Sequence, residues 1–171
     1  MTLTRLSVIA AIVFLFTGCK FVNYGFSGSS VPADVNTISI ATFPIIGQNA
    51  AIAPATLSQD FTEALRNIFV QQSRLELVRN NGDMIVEGEI TGYSVRSAAV
   101  SNNQAATENL VISVKVTFTD QKHPENSYEQ TFSQMEPFDA GRNLSDVEPT
   151  IVPVITERLT QDIFNKTLGN W

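Results

Sequence analysis

Few side chains in this 171-residue chain have the type and spacing for chemistry. The one cysteine, Cys19, allows neither an intramolecular disulfide nor a cysteine metal cluster. The one histidine, His123, lies in Gln121-Lys122-His123-Pro124, a hairpin-turn composition that supplies no orienting acid or nucleophile, so it reads as a solvated turn residue. Glu87 and Glu89 share one face of a predicted strand, a spacing open to an acid/base pair but ordinary for a solvated face. No His, Cys, Asp and Glu cluster has metal-ligand spacing. The glycines of Gly25-Phe26-Ser27-Gly28 do not stand between a strand and a helix, so they form no phosphate cradle. The expectation is a non-enzymatic protein with no catalytic residue, no metal and no dissociable cofactor.

The surroundings of Cys19 give it a different chemistry. Arg5 is followed by Leu6 to Phe16, an 11-residue run whose only polar side chain is Ser7, and then by Thr17-Gly18-Cys19. A basic start, a short apolar run and small residues before a cleavage point make a signal peptide over 1–18, since 11 residues cannot span a hydrocarbon core about 30 Å thick. Phe16-Thr17-Gly18-Cys19 resembles a lipobox, with Phe16 where Leu is usual. Cys19 is therefore expected to carry covalent lipid and become the new N-terminus. Each buried CH₂ is worth roughly 0.8 kcal/mol, so several acyl chains on one thiol anchor a protein firmly. Lys20 follows the cysteine, and the absence of Asp at that position points to the outer membrane.

Removing residues 1–18 leaves 153 residues, the size of one domain. With Arg5 gone, 10 basic residues face 17 acidic ones, a side-chain charge of −7 that argues against nucleic-acid binding. Residues 19–34 are rich in Gly, Ser and other small residues around Tyr24 and Phe26, and read as a flexible lipidated tether. Residues 35–171 then form a single folded domain.

Periodicity supplies the elements of that domain. Ile38 and Ile40 alternate with polar neighbours in a first strand ended by Pro44, and 45–54 reads as a loop. Thr56 and Gln59 fit a capping box for a helix whose apolar stripe is Leu57, Phe61, Ala64, Leu65, Ile68 and Phe69. Leu75–Val78 is a short strand, and Asn80-Asn81-Gly82-Asp83 suits a hairpin turn into a long strand from Met84 to about Val100. There Val86, Gly88, Ile90 and Gly92 fall on the apolar side, the glycines leaving room for a helix, with Glu87, Glu89, Thr91 and Tyr93 opposite. Residues 101–107 form a polar loop. Leu110 to Phe118 alternate strictly, 120–126 is a turn, and Tyr128–Met135 is a last strand anchored by Phe132. A final helix carries Ile151, Ile155, Leu159 and Ile163 at i, i+4, with Ser145 and Glu148 as a capping box and Pro153 kinking the helix or delaying its start. The order β-α-β-β-β-β-α predicts an α+β, two-layer sandwich: two amphipathic helices on one face of a mainly antiparallel sheet of four to five strands. The opposite sheet face is expected to be polar, carrying Glu87, Glu89, Tyr93, Ser113, Lys115 and Thr117.

At Tyr24-Gly25-Phe26-Ser27-Gly28, Thr56 to Leu65, Gly82 to Tyr93 and Asp162-Ile163-Phe164-Asn165-Lys166, the chain resembles the LptE-like lipopolysaccharide-assembly lipoproteins, a likeness that runs from Cys19 to Trp171. The resemblance implies an outer-membrane lipoprotein seated in the lumen of a β-barrel translocon, LptD, supporting its assembly and the delivery of lipopolysaccharide to the cell surface. A polar free face suits such a lumen. The resemblance also implies basic residues in contact with lipopolysaccharide; on charge and position the candidates are Arg96 and Lys115. The runner-up is a periplasm-facing lipoprotein that binds a small ligand or another envelope complex, which calls for a closed apolar pocket between helices and sheet. A hydrolase with dispersed groups, with Glu87 and Glu89 as its acids, is the third.

Overall fold

Five strands and two long helices make up the computed structural model, which describes residues 31–47, 50–97 and 107–169. The signal segment, Cys19, most of the tether and most of the polar loop at 101–107 lie outside the described residues. In chain order the elements are β1 (Thr37–Ile40), α1 (Leu57–Gln72), β2 (Glu76–Val78), β3 (Met84–Ser97), β4 (Thr107–Asp120), β5 (Tyr128–Asp139) and α2 (Leu144–Leu168). A single 3₁₀ turn at Pro124–Asn126 joins β4 to β5. Two helices on one face of an open five-stranded sheet give the α+β class that the periodicity predicts.

The sheet order is β2-β1-β3-β4-β5, and β1 pairs parallel to both of its neighbours while β3, β4 and β5 run antiparallel. This corrects the expected hairpin at Asn80–Asp83, because β2 and β3 run in the same direction with β1 inserted between them. The link must cross β1 within five residues. Asn81 takes a positive φ of 54°, as its residue type allows, and Gly82 passes directly against the β1 backbone. A Cβ on Gly82 would lie 2.6 Å from the Ser39 nitrogen and 2.7 Å from the Ile38 carbonyl carbon.

A second correction concerns the phase of β3. The register slips between Ile90 and Gly92, so a bulge at Thr91 reverses which face the following residues occupy. Tyr93 consequently points into the core and is buried, instead of standing on the polar face. Gly92 moves to the open face, where its missing side chain accommodates Ser113. Gly88 does sit on the apolar side, but the group packed over it is the Phe43 ring from the segment after β1, not a helix.

Both helices are amphipathic where expected, with different ends. Leu57, Phe61, Leu65, Ile68 and Phe69 of α1 are buried, and Thr62 joins them by donating to the Ser58 carbonyl while accepting from the Phe43 N–H. Neither capping box forms. Thr56 makes no side-chain cap, Gln59 donates to Glu63 instead, and α2 begins at Leu144, with Glu148 turned to Tyr93. Pro149 and Pro153 sit inside α2, which continues through both. They are exposed and one turn apart, so the carbonyls that lose an intrahelical donor face water. Ile151, Ile155, Leu159 and Ile163 form the buried row, and Phe164 meets Phe69 of α1 edge-on at 5.2 Å. These side chains, with Phe43, Phe61, Ile112, Val114 and Val116, fill the space between helices and sheet.

Candidate functional site

The face left open by the helices is built from the outward residues of β3, β4 and β5. Cross-strand register places Glu87 beside Thr117 beside Glu129, Glu89 beside Lys115 beside Thr131, and Arg96 beside Asn109 beside Pro137. Between these rows lie Ser94, Val111, Ser113, Ser133 and Met135, with the Ser113 and Ser133 hydroxyls 2.6 Å apart. Short hydroxyl side chains lose little rotamer freedom when covered and can both donate and accept, which fits a surface made to meet another polar surface.

Lys115 and Arg96 share this face, as alternation and the compensating bulge require, but they are not neighbours. Asn109, the cross-strand partner of Arg96, is six residues from Lys115 along β4, about 20 Å in an extended strand. Lys115 is paired with Glu129 at 2.9 Å, and that carboxylate, with a smaller contribution from Glu89, raises the ammonium pKa above its ordinary value. Arg96 lines a surface hollow of about 350 Å³ together with Ser97, Asn109, Val111, Ser133 and Met135. Among the described residues no carboxylate lies within ion-pair distance of Arg96. Glu87 and Glu89 face Thr117 and Lys115 across the strand pair.

His123 occupies the turn expected of it but is tied rather than freely solvated. Its Nε2 lies 3.2 and 3.1 Å from the two oxygens of Asp34, and Asp34 raises the imidazole pKa while the imidazole lowers that of Asp34. This contact belongs to a clasp around residues 31–37, the first of the described residues. The Arg74 guanidinium donates to the Val31 and Pro32 carbonyls, and Lys122 donates to the Asp34 carbonyl. The Asp83 carboxylate accepts from the Asn36 and Thr37 N–H groups at 2.9 and 3.0 Å and pairs with Lys122 at 3.1 Å. The backbone N–H of Asn36, followed by the Lys122 ammonium, holds Asp83 far below the usual carboxylate range. Sequence reasoning missed this clasp because its members come from four separate segments.

The other missed interaction is Tyr93 with Glu148. The hydroxyl donates to Oε1 at 2.5 Å, linking β3 to the first turns of α2. Burial, then the neighbouring carboxylate, pushes the phenol above its ordinary range. Among the described residues no group of three or more His, Cys, Asp or Glu side chains is placed to hold a metal ion, and no helix is long and apolar enough to cross a membrane.

A parallel β-α-β start inserted beside an antiparallel meander, with helices on one side and a hydroxyl-rich face on the other, defines a two-layer α+β module with one surface free. A family model described as lipopolysaccharide-assembly, LptE, matches residues 35–167. The chain belongs to the LptE lipopolysaccharide-assembly family. Solved structures agree on the fold. A protein of Xanthomonas campestris matches with a TM-score of 0.56 at 11% identity, covering 82% of this chain and 89% of the other. A hypothetical protein of Chlamydia trachomatis gives 0.55 at 13%, covering 80% and 99%. A minor lipoprotein of Acinetobacter baumannii gives 0.50 at 13%, covering 77% and 91%. No curated protein sequence matches the chain significantly.

Proposed function

We propose that this chain is a non-enzymatic outer-membrane lipoprotein, acylated at Cys19 and then cleaved of residues 1–18, that plugs an LptD-type β-barrel translocon and supports its assembly. In that role it assists transport of lipopolysaccharide to the cell surface. Family membership supports lipopolysaccharide assembly, and the open sheet face carries the finer reading. Hydroxyls of Ser94, Ser113, Thr117, Thr131 and Ser133 on a twisted sheet match the polar lining of a barrel lumen. The clasp holds residues 31–37 against the body, which suits the attachment point of a lipidated tether in this reading. Arg96, with no carboxylate partner among the described residues, is the better placed of the two candidate lipopolysaccharide contacts; Lys115 already serves Glu129.

The test is a photo-crosslinking residue at Thr131 on the open face and at Asn67 on the outer side of α1, followed by purification from detergent-solubilised outer membrane. A barrel protein crosslinked from Thr131 and not from Asn67, together with loss of surface lipopolysaccharide on depletion, is the expected result. Normal surface lipopolysaccharide on depletion, with no barrel adduct from either position, removes the proposal.

A further inference from the structure

We propose that the pocket at the carboxyl ends of β1 and β2 binds a phosphate group, held between the guanidinium groups of Arg66 and Arg79. The pocket, of about 250 Å³, is lined by Ile40, Arg66, Leu77, Val78 and Arg79. Ile40 and Val78 are the last residues of two parallel strands joined by α1. Crevices outside the carboxyl ends of parallel strands are where α/β units commonly bind ligands, because the chain turns away there and leaves a hollow between strand ends and helix.

Arg66 is pre-positioned for the task. Its Nε and Nη2 both donate to the Ile40 carbonyl, at 3.3 and 2.9 Å, which pins one edge of the planar guanidinium to the end of β1. The remaining edge, formed by Nη1 and Nη2, keeps the parallel N–H pair that grips an oxyanion bidentately. Holding the side chain in place beforehand removes much of the ordering cost of binding. Arg79 supplies a second guanidinium to the same pocket, just past β2.

Charge argues in the same direction. No carboxylate of the described residues lies within ion-pair distance of Arg66 or Arg79, although the folded chain is strongly acidic. Two cations lining one pocket, without counter-charge among the described residues, match a phosphate dianion better than a single carboxylate. Leu77, a partly exposed apolar residue at the rim, offers a surface to the organic portion of a phosphate ester. The phosphate belongs either to a free monoester or to a lipid headgroup, and both present the same oxygens.

The experiment titrates the purified full-length lipoprotein in neutral detergent at constant ionic strength, following amide and Arg Nε resonances by NMR. One arm adds inorganic phosphate, a second dihexanoyl phosphatidic acid below its micellar concentration, and a third dihexanoyl phosphatidylcholine as a control for the acyl chains. Saturable shifts at Ile40, Arg66 and Leu77 to Arg79 are expected, weakened about tenfold or more in Arg79→Gln and unchanged in Arg142→Gln. Among the described residues the Arg79 side chain makes no hydrogen bond or ion pair, so its variant is expected to keep the structure; Arg66→Lys retains charge but loses the fork and is expected to weaken binding as well. Tighter binding of phosphatidic acid than of inorganic phosphate assigns a lipid headgroup, and equal binding assigns a free monoester. Absence of saturable shifts at these residues, or equal binding by Arg79→Gln, overturns the proposal.

Discussion

Replacing Gly82 by Ala tests whether the crossing of β1 by the β2–β3 link governs this fold. The new methyl would stand 2.6 Å from the Ser39 nitrogen, 2.7 Å from the Ile38 carbonyl carbon and 2.8 Å from the Met84 oxygen. All three are backbone atoms, so no rotamer change relieves the overlap. The link or β1 has to move by roughly half an ångström or more, and β1 is bonded on both sides, to β2 and to β3. Overpacking of this kind costs about 1–3 kcal/mol. The shift also disturbs the adjacent bonds that the Asp83 N–H donates to Thr37 Oγ1 and that the Asp83 carboxylate accepts from the Asn36 and Thr37 N–H groups, each worth about 1 kcal/mol or more. The expected loss is therefore about 3–4 kcal/mol, a large share of a single domain's stability. Equilibrium urea unfolding of wild type and variant measures it, with Gly141→Ala as the control. A Cβ at Gly141 meets nothing within 4 Å, so that change should stay within about 0.5 kcal/mol. A loss below about 1 kcal/mol for Gly82→Ala, with the denaturant slope unchanged, would refute the steric reasoning.

Two further outcomes follow from the buried and clasped polar groups. Tyr93→Phe keeps the ring in the core but removes the donor to Glu148, and is expected to cost about 1–2 kcal/mol by urea unfolding, whereas Glu148→Gln, which keeps an acceptor, costs less. The His123–Asp34 pair gives the clasp a pH dependence. Because the folded imidazole pKa lies above its ordinary value near 6.5, the stabilisation is complete below that value and is lost as pH rises through the folded pKa. An NMR titration of His123 should show the raised pKa in the wild type and its return toward the ordinary value in Asp34→Asn; an unchanged titration in that variant would count against the pairing.

Much of the architecture was legible in the sequence because its elements have strong periods. The alternation from Leu110 to Phe118 and the stripes of Leu57, Phe61, Leu65 and Ile151, Ile155, Leu159 bury as their spacing requires. Strand order was not legible. Asn80-Asn81-Gly82-Asp83 has turn chemistry whether the chain reverses or crosses a neighbour, and only the long-range pairing of β1 decides between them. The misplacement of Tyr93 has a similar origin: a period-2 reading assumes an unbroken ladder, and one extra residue at Thr91 reverses everything after it. The capping boxes failed because Gln59 and Glu148 each found another partner. Of the candidate contacts, alternation placed Lys115 on the free face correctly, but its pairing with Glu129 depends on β5 register. The Arg66 fork was hidden because its acceptor, the Ile40 carbonyl, is a backbone group on a distant strand.

The insertion of β1 between β2 and β3 has a bearing on how the chain reaches its native state. Thr37–Ile40, the first of the described strands to emerge during synthesis, finds its hydrogen-bonding neighbours only at residues 76–78 and 84–86. Until residues 76–78 and then 84–86 have appeared, the edges of Thr37–Ile40 lack these partners, and closing so long a loop is entropically slow. By contrast β3, β4 and β5 are joined by near-neighbour connections and pair over short sequence separations. Docking of Thr37–Ile40 between residues 76–78 and 84–86 is therefore the long-range step of this fold.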